Sequence, residues 1–111
     1  MKKFVAIYNA PSAALDEMKK SMDAEQSKAM MDSWKNWMEA NAASFVDQGA
    51  PLGKNMRVTK DGVESVRNEI NGYSVVQAES QEEATKIFMS NPQLQMPGAY
   101  IEVLEWVEMK M

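Results

Sequence analysis

The chain has 111 residues, a net charge of −4, three tryptophans and eleven methionines, but neither cysteine nor histidine. Its length suits one domain with a single core, and its acidic balance argues against a nucleic-acid or anionic-membrane partner, both of which need a basic face. Without Cys or His there is no disulfide, thiolate metal site, imidazole acid/base or His-ligated haem, so neither a metal nor another cofactor is expected.

Two lysines open the chain, but the apolar run Phe4–Tyr8 stops at Asn9, too short for a signal-peptide core. No stretch approaches the ~20 apolar residues of a membrane span, and the expected location is cytoplasmic. Phe4–Tyr8 reads as a strand buried on both faces. Ser12 to Met18 reads as a weak helical turn with Ser12 as cap.

Asp23 opens the longest element as an N-cap, with Gln26 in the capping-box position. Met30, Trp34, Trp37, Met38, Asn41 and Phe45 follow at spacings of three and four and form one apolar stripe. Lys28, Asp32, Lys35, Asn36 and Glu39 mark the wet side. Gly49 supplies a left-handed C′ residue and Pro51 prevents resumption, so the expected helix runs to that glycine. After a loop, Met56–Lys60 reads as a strand and Asp61-Gly62 as a turn. Residues 63–70 read as turn plus extended chain.

Gly72–Ala78 reads as a strand. Ser80 with Glu83 caps a second helix through Ala84, Ile87 and Phe88, which Asn91-Pro92 ends. Gln93–Pro97 is a loop. The closing strand, Gly98–Trp106, sends Ile101, Val103 and Val107 to one side and Tyr100, Glu102, Leu104 and Trp106 to the other. The order strand, helix, strand, strand, helix, strand predicts an α+β fold: a ferredoxin-like βαββαβ protomer with an antiparallel sheet and both helices on one face. Phe4, Tyr8, Tyr73, Leu104 and Trp106 can be placed on the other face. A second copy is therefore expected to cover it in a two-fold homodimer, a dimeric α+β barrel.

Several segments together resemble the YCII-related family, in particular its DGPF-domain branch. They are Phe4–Tyr8, the tract around Trp34 and Trp37, Phe45–Gly53, Val58–Gly62, Asn71–Ser80 and Gly98–Val103. The resemblance covers nearly all of residues 1–111 as one domain. It implies a protomer whose sheet meets a partner's sheet, leaving a cleft in or beside the barrel. Two departures matter. Asn91-Pro92-Gln93-Leu94 stands where similar sequences carry Cys-Pro-His-Leu, so Gln93 replaces the histidine. The Asp-Gly-Pro-Phe signature is reduced to Asp61-Gly62-Val63-Glu64.

Glu102, a carboxylate on an apolar strand face, is the candidate general base, with Tyr8 or Tyr73 as polarising acid. Its alternative role is a structural acid at the dimer seam. Trp34, Arg57, Gln93 and Trp106 are candidate pocket residues. Arg57 could grip a carboxylate, and the aromatic residues could floor or roof a cleft. Core or interface packing is the competing account of Tyr8, Tyr73, Trp34, Trp37 and Trp106. The methionines read as a pliable core. Two functions follow: a homodimeric small-molecule-binding or structural module without the family's His-based site, or a cofactor-free isomerase or lyase based on Glu102.

Overall fold

The computed structural model describes residues 1–109. Four strands form one antiparallel sheet: β1 (Lys2–Asn9), β2 (Phe45–Pro51), β5 (Ile70–Ala78) and β6 (Tyr100–Glu105), in the order β2-β5-β1-β6. Three helices, α1 (Ser12–Ser21), α2 (Ala24–Ala40) and α3 (Gln81–Phe88), accompany the sheet. A separate two-stranded hairpin, β3 (Asn55–Thr59) and β4 (Gly62–Val66), is inserted between β2 and β5. The α+β, ferredoxin-like expectation holds, with the hairpin added to it.

Register decides which side chains meet the helices. Phe4, Ala6 and Tyr8 stand opposite Val76, Ser74 and Gly72 on β5, and opposite Glu105, Val103 and Ile101 on β6. This face carries the core, where Phe4, Ala6, Tyr8 and Val76 pack with Trp37, Ala84 and Phe88. Rings of Tyr8, Trp34, Trp37, Phe45 and Phe88 meet mostly edge to face, with centroids 5.3 to 6.2 Å apart. That arrangement suits the ring quadrupoles.

The opposite face holds Val5, Ile7, Tyr73, Val75, Glu102 and Leu104, and among the described residues the helices pack on the Phe4 side instead. Placing Phe4 and Tyr8 there from the sequence is therefore corrected. Tyr73 faces Ile7 across the ladder, so alternation puts it on the side away from Tyr8. The assignment of Ile101 and Val103 to one side of β6, and of Tyr100, Glu102, Leu104 and Trp106 to the other, holds.

Helix α2 begins as expected. The Asp23 carboxylate accepts the Gln26 N–H at 2.8 Å, and the Gln26 side chain accepts the Asp23 N–H at 3.1 Å. It ends nine residues before Gly49, at Ala40, and is followed by the C-cap Asn41, whose Nδ2 donates to the Trp37 carbonyl at 2.9 Å. The next segment is strand β2, so the second strand of the βαββαβ order is Phe45–Pro51 and not Met56–Lys60. Gly49 is left-handed (φ 78°), but at a bulge rather than a helix end. Between the pairs Asp47–Val75 and Ala50–Tyr73, two residues of β2 oppose one of β5. A Cβ on Gly49 would meet the Tyr73 carbonyl oxygen, so only glycine fits this bulge.

Candidate functional site

Between α1, α2 and the helix side of the sheet lies a groove of about 1270 Å³. Its wall is soft and apolar, with Met18, Met22, Met30 and Met38 half-buried along α1 and α2 and Met96 closing the far end. The pliable methionine core expected from the sequence is corrected in part: the fully buried cluster contains no methionine, although Met38 packs against it. Helix α1 has no buried residue at all, and its one methionine, Met18, lines the groove. The two tryptophans divide between the competing accounts. Trp37 is core and donates its indole N–H to Ser90 Oγ at 3.2 Å, while Trp34 lines the groove.

Tyr8 forms the floor beneath Trp34 and is only 4% exposed. Its hydroxyl lies 2.8 Å from Ser74 Oγ. The Ser74 hydroxyl proton is already given to the Gln48 carbonyl at 2.8 Å. Ser74 has only one hydroxyl proton, so Tyr8 is the donor between the two. The bulge at Gly49 is what turns the Gln48 carbonyl toward this chain. Burial pushes the Tyr8 phenol up from its ordinary pKa, against the smaller lowering effects of Ser74 and Asn91. Asn91 is itself buried, and its Nδ2 is the buried side-chain polar atom left without a conventional partner among the described residues.

Gln93, also 4% exposed, sits at the groove's polar end. Its Nε2 donates to the Asn9 carbonyl at 3.0 Å and to Asn71 Oδ1 at 3.1 Å. Its Oε1 accepts from Asn71 Nδ2 at 3.3 Å. Asn71 reaches it because it is the extra residue where β5 bulges between Tyr8–Gly72 and Asn9–Ile70. Both Gln93 amide protons are thus committed, leaving one acceptor position on Oε1.

The remaining candidates lie elsewhere. Glu102 opposes Ile7 on the uncovered sheet face and is exposed in the protomer. Tyr8 is on the other face, so the expected pairing of Glu102 with Tyr8 is not formed. Tyr73 does share the Glu102 face, across Ile7, and donates its hydroxyl to Asp47 Oδ2 at 3.3 Å. Arg57 is on the hairpin, paired with Glu64 at 3.3 Å. Trp106 stacks under the Lys3 ammonium, 5.4 Å from its ring centre, on the uncovered face. The structure therefore gathers Tyr8, Trp34, Gln93 and the Tyr73 backbone region around one groove and leaves Glu102, Arg57 and Trp106 outside it.

Sequence reasoning missed Ser74, Asn71 and Asn91. The legible trace of the groove was the methionine spacing on α1 and α2, which signals an apolar helical face but not an open one. Among the described residues no group of three or more acidic side chains could hold a metal ion. No helix there is long and apolar enough to cross a membrane.

No family model matches the chain. No match is found among curated proteins. Among solved structures the fold is similar to 5-chloro-2-hydroxyhydroquinone dehydrochlorinase (TftG) from Burkholderia phenoliruptrix AC1100, in complex with 2,5-dihydroxybenzoquinone. The two are 14% identical, with a TM-score of 0.53 and 90% of each chain covered. At that identity the likeness concerns the fold alone.

Proposed function

We propose that the protein is a YCII-like homodimer that binds a small, uncharged, largely apolar molecule in the groove between α1, α2 and the sheet. The observation that carries this reading is the wall itself. Methionines, Trp34 and Tyr8 surround a large hollow in which Glu17 is the sole charged lining residue among the described residues. Concave, mostly apolar pockets with a few fixed polar groups are the usual form of small-molecule sites, and thioether side chains adapt to varied shapes. A protein of this fold holds a small organic molecule in at least one other case, since TftG was solved with 2,5-dihydroxybenzoquinone.

The polar end sets orientation rather than chemistry. Gln93 offers a lone acceptor and has no proton to give or take at neutral pH, so a ligand hydroxyl or N–H would dock there. The Tyr8 proton is directed at Ser74, away from the groove's contents. An acid–base pair of Glu102 with Tyr8 is not part of this proposal, because the two stand on opposite sheet faces.

The test is a titration with the neutral fluorophore N-phenyl-1-naphthylamine, following both probe emission and tryptophan quenching. Saturable binding is expected, with a stabilisation near 2.7 kcal/mol at a hundredfold excess over Kd. Ala29→Trp, on the exposed helical rim of the groove, should abolish it without unfolding the protein. Absence of saturable binding, or binding unaffected by Ala29→Trp, would remove the groove as the site.

A further inference from the structure

Among the three helices, α1 is the one with neither a buried residue nor a side-chain cap. Pro11 stands at its N-cap position with no hydroxyl or carboxylate to accept an orphan N–H, and its first turn holds no acidic residue. Lys19 and Lys20 in the last turn suit the helix dipole, but that effect is small at exposed positions. Helix α1 has ten residues, and isolated helices below ~12–15 residues are marginal in water. By contrast, α2 has a capping box and Trp37 in the core, and the shorter α3 buries Ala84 and Phe88. Helices in proteins draw most of their stability from packing, and the inner side of α1, with Ala14 and Met18, faces the open groove.

The two ends of α1 are fixed independently of it. Ala10 is fully buried, and its N–H donates to the Glu69 carbonyl at 2.8 Å. At the far end Met22 is extended backbone, and Asp23 already belongs to the capping box of α2. Among the described residues, the side-chain hydrogen bonds that join α1 to the rest of the protein come from Arg67. It donates to Asp16 Oδ1 at 2.8 Å and to the Ser12 carbonyl at 3.5 Å. Both partners of that ion pair are about half exposed, where such pairs contribute little. As a helix, ten residues rise about 15 Å, whereas extended they reach about 33 Å. An unwound α1 can therefore bow away from the groove while both ends stay in place.

We infer that α1 is a strap ordered by the ligand: it unwinds locally in the free protein to open the groove and refolds over a molecule held there. This rests on the small-molecule reading above and adds to it how the site opens. A bound apolar molecule replaces water against Ala14, Met18 and Met22 and so supplies the packing that α1 lacks. Binding then carries the cost of ordering the strap, and apparent affinity falls with the closed population. Residues that never touch the groove thereby control how tightly it holds a neutral molecule.

Lys19 is exposed on α1 and lies outside the groove lining, so Lys19→Ala and Lys19→Gly remove the same charge and differ in helix propensity. In titrations of the full chain with N-phenyl-1-naphthylamine, Lys19→Gly should bind about fivefold more weakly than Lys19→Ala, the equilibrium factor for that propensity gap. Hydrogen exchange read by mass spectrometry gives a second measurement. In the free protein the α1 amides should exchange about a hundredfold faster than those of α2 near Trp37. Saturating probe should slow the α1 amides about tenfold or more and leave those near Trp37 unchanged. No saturable binding by the parent or either variant would remove the groove reading and the strap together. Equal affinity in the two variants, with α1 as protected as α2 before probe is added, would overturn the strap and leave the groove standing.

Discussion

Tyr8 illustrates how one side chain can be fixed from several directions. Its ring is held edge-on by Trp34 and Phe88, and its hydroxyl is committed to a relay ending at the Gln48 carbonyl. Tyr8→Phe would leave Ser74 Oγ short of a donor and deprive the Asn91 amide of its polar neighbour. The expected cost is about 1–3 kcal/mol in urea unfolding, the usual penalty for orphaned buried polar groups. The same variant reports on pH. Burial raises the phenol's pKa in the folded state above its ordinary value of 10.0. The unfolded chain therefore loses this proton first, so this contribution is intact below about pH 10 and is lost as pH rises through the folded value. A comparison of unfolding free energies between pH 8 and 11 should show a smaller alkaline decline in Tyr8→Phe than in the parent protein.

Among the elements, α2 is the one whose full capping box was legible, because a capping box is a local chemical device. Asp23 and Gln26 satisfy each other's orphan N–H groups whatever the rest of the chain does. Asp23→Ala should therefore lower stability by about 1 kcal/mol, read from denaturant midpoints at unchanged slope. The end of α2 was not legible. The apolar spacing that runs through Trp34, Trp37 and Met38 continues to Phe45, so periodicity alone carries the helix onward. Phe45 does pack on Trp37, but as the first residue of β2. Gly49 misled for the same reason: left-handed backbone serves a helix end and a bulge equally, and only the approach of the Tyr73 carbonyl distinguishes them. The candidate site was legible to a similar depth. Trp34 and Gln93 were placed in a pocket from sequence, whereas Asn71 depends on a one-residue shift in the β1–β5 register that no local pattern announces.

The molecule as a whole is a thin plate, 47 × 45 × 19 Å, with a radius of gyration of 15.7 Å. A compact chain of about this length would have roughly 13 Å. The excess reflects an outlying hairpin and a helix pair that stands off the sheet around the groove. A plate with one bare sheet face is poorly closed by itself, and Leu104 is central to that exposure. For the homodimer proposed above, Leu104→Glu should shift the protein to monomer in sedimentation velocity while leaving the helix-side core, and hence the far-ultraviolet circular dichroism, intact. The amino-acid order by itself determined what depends on near neighbours: the cap of α2, the start of α3 at Ser80, the alternation along β6 and the absence of thiol and imidazole chemistry. Tertiary structure decided what depends on register and on contacts distant along the chain. It set Tyr8 and Glu102 on opposite faces, turned Phe45–Pro51 into a strand and opened the methionine-lined groove. In each case the deciding interaction joins residues far apart in sequence, and a strand's two faces are chemically interchangeable until its neighbours fix them.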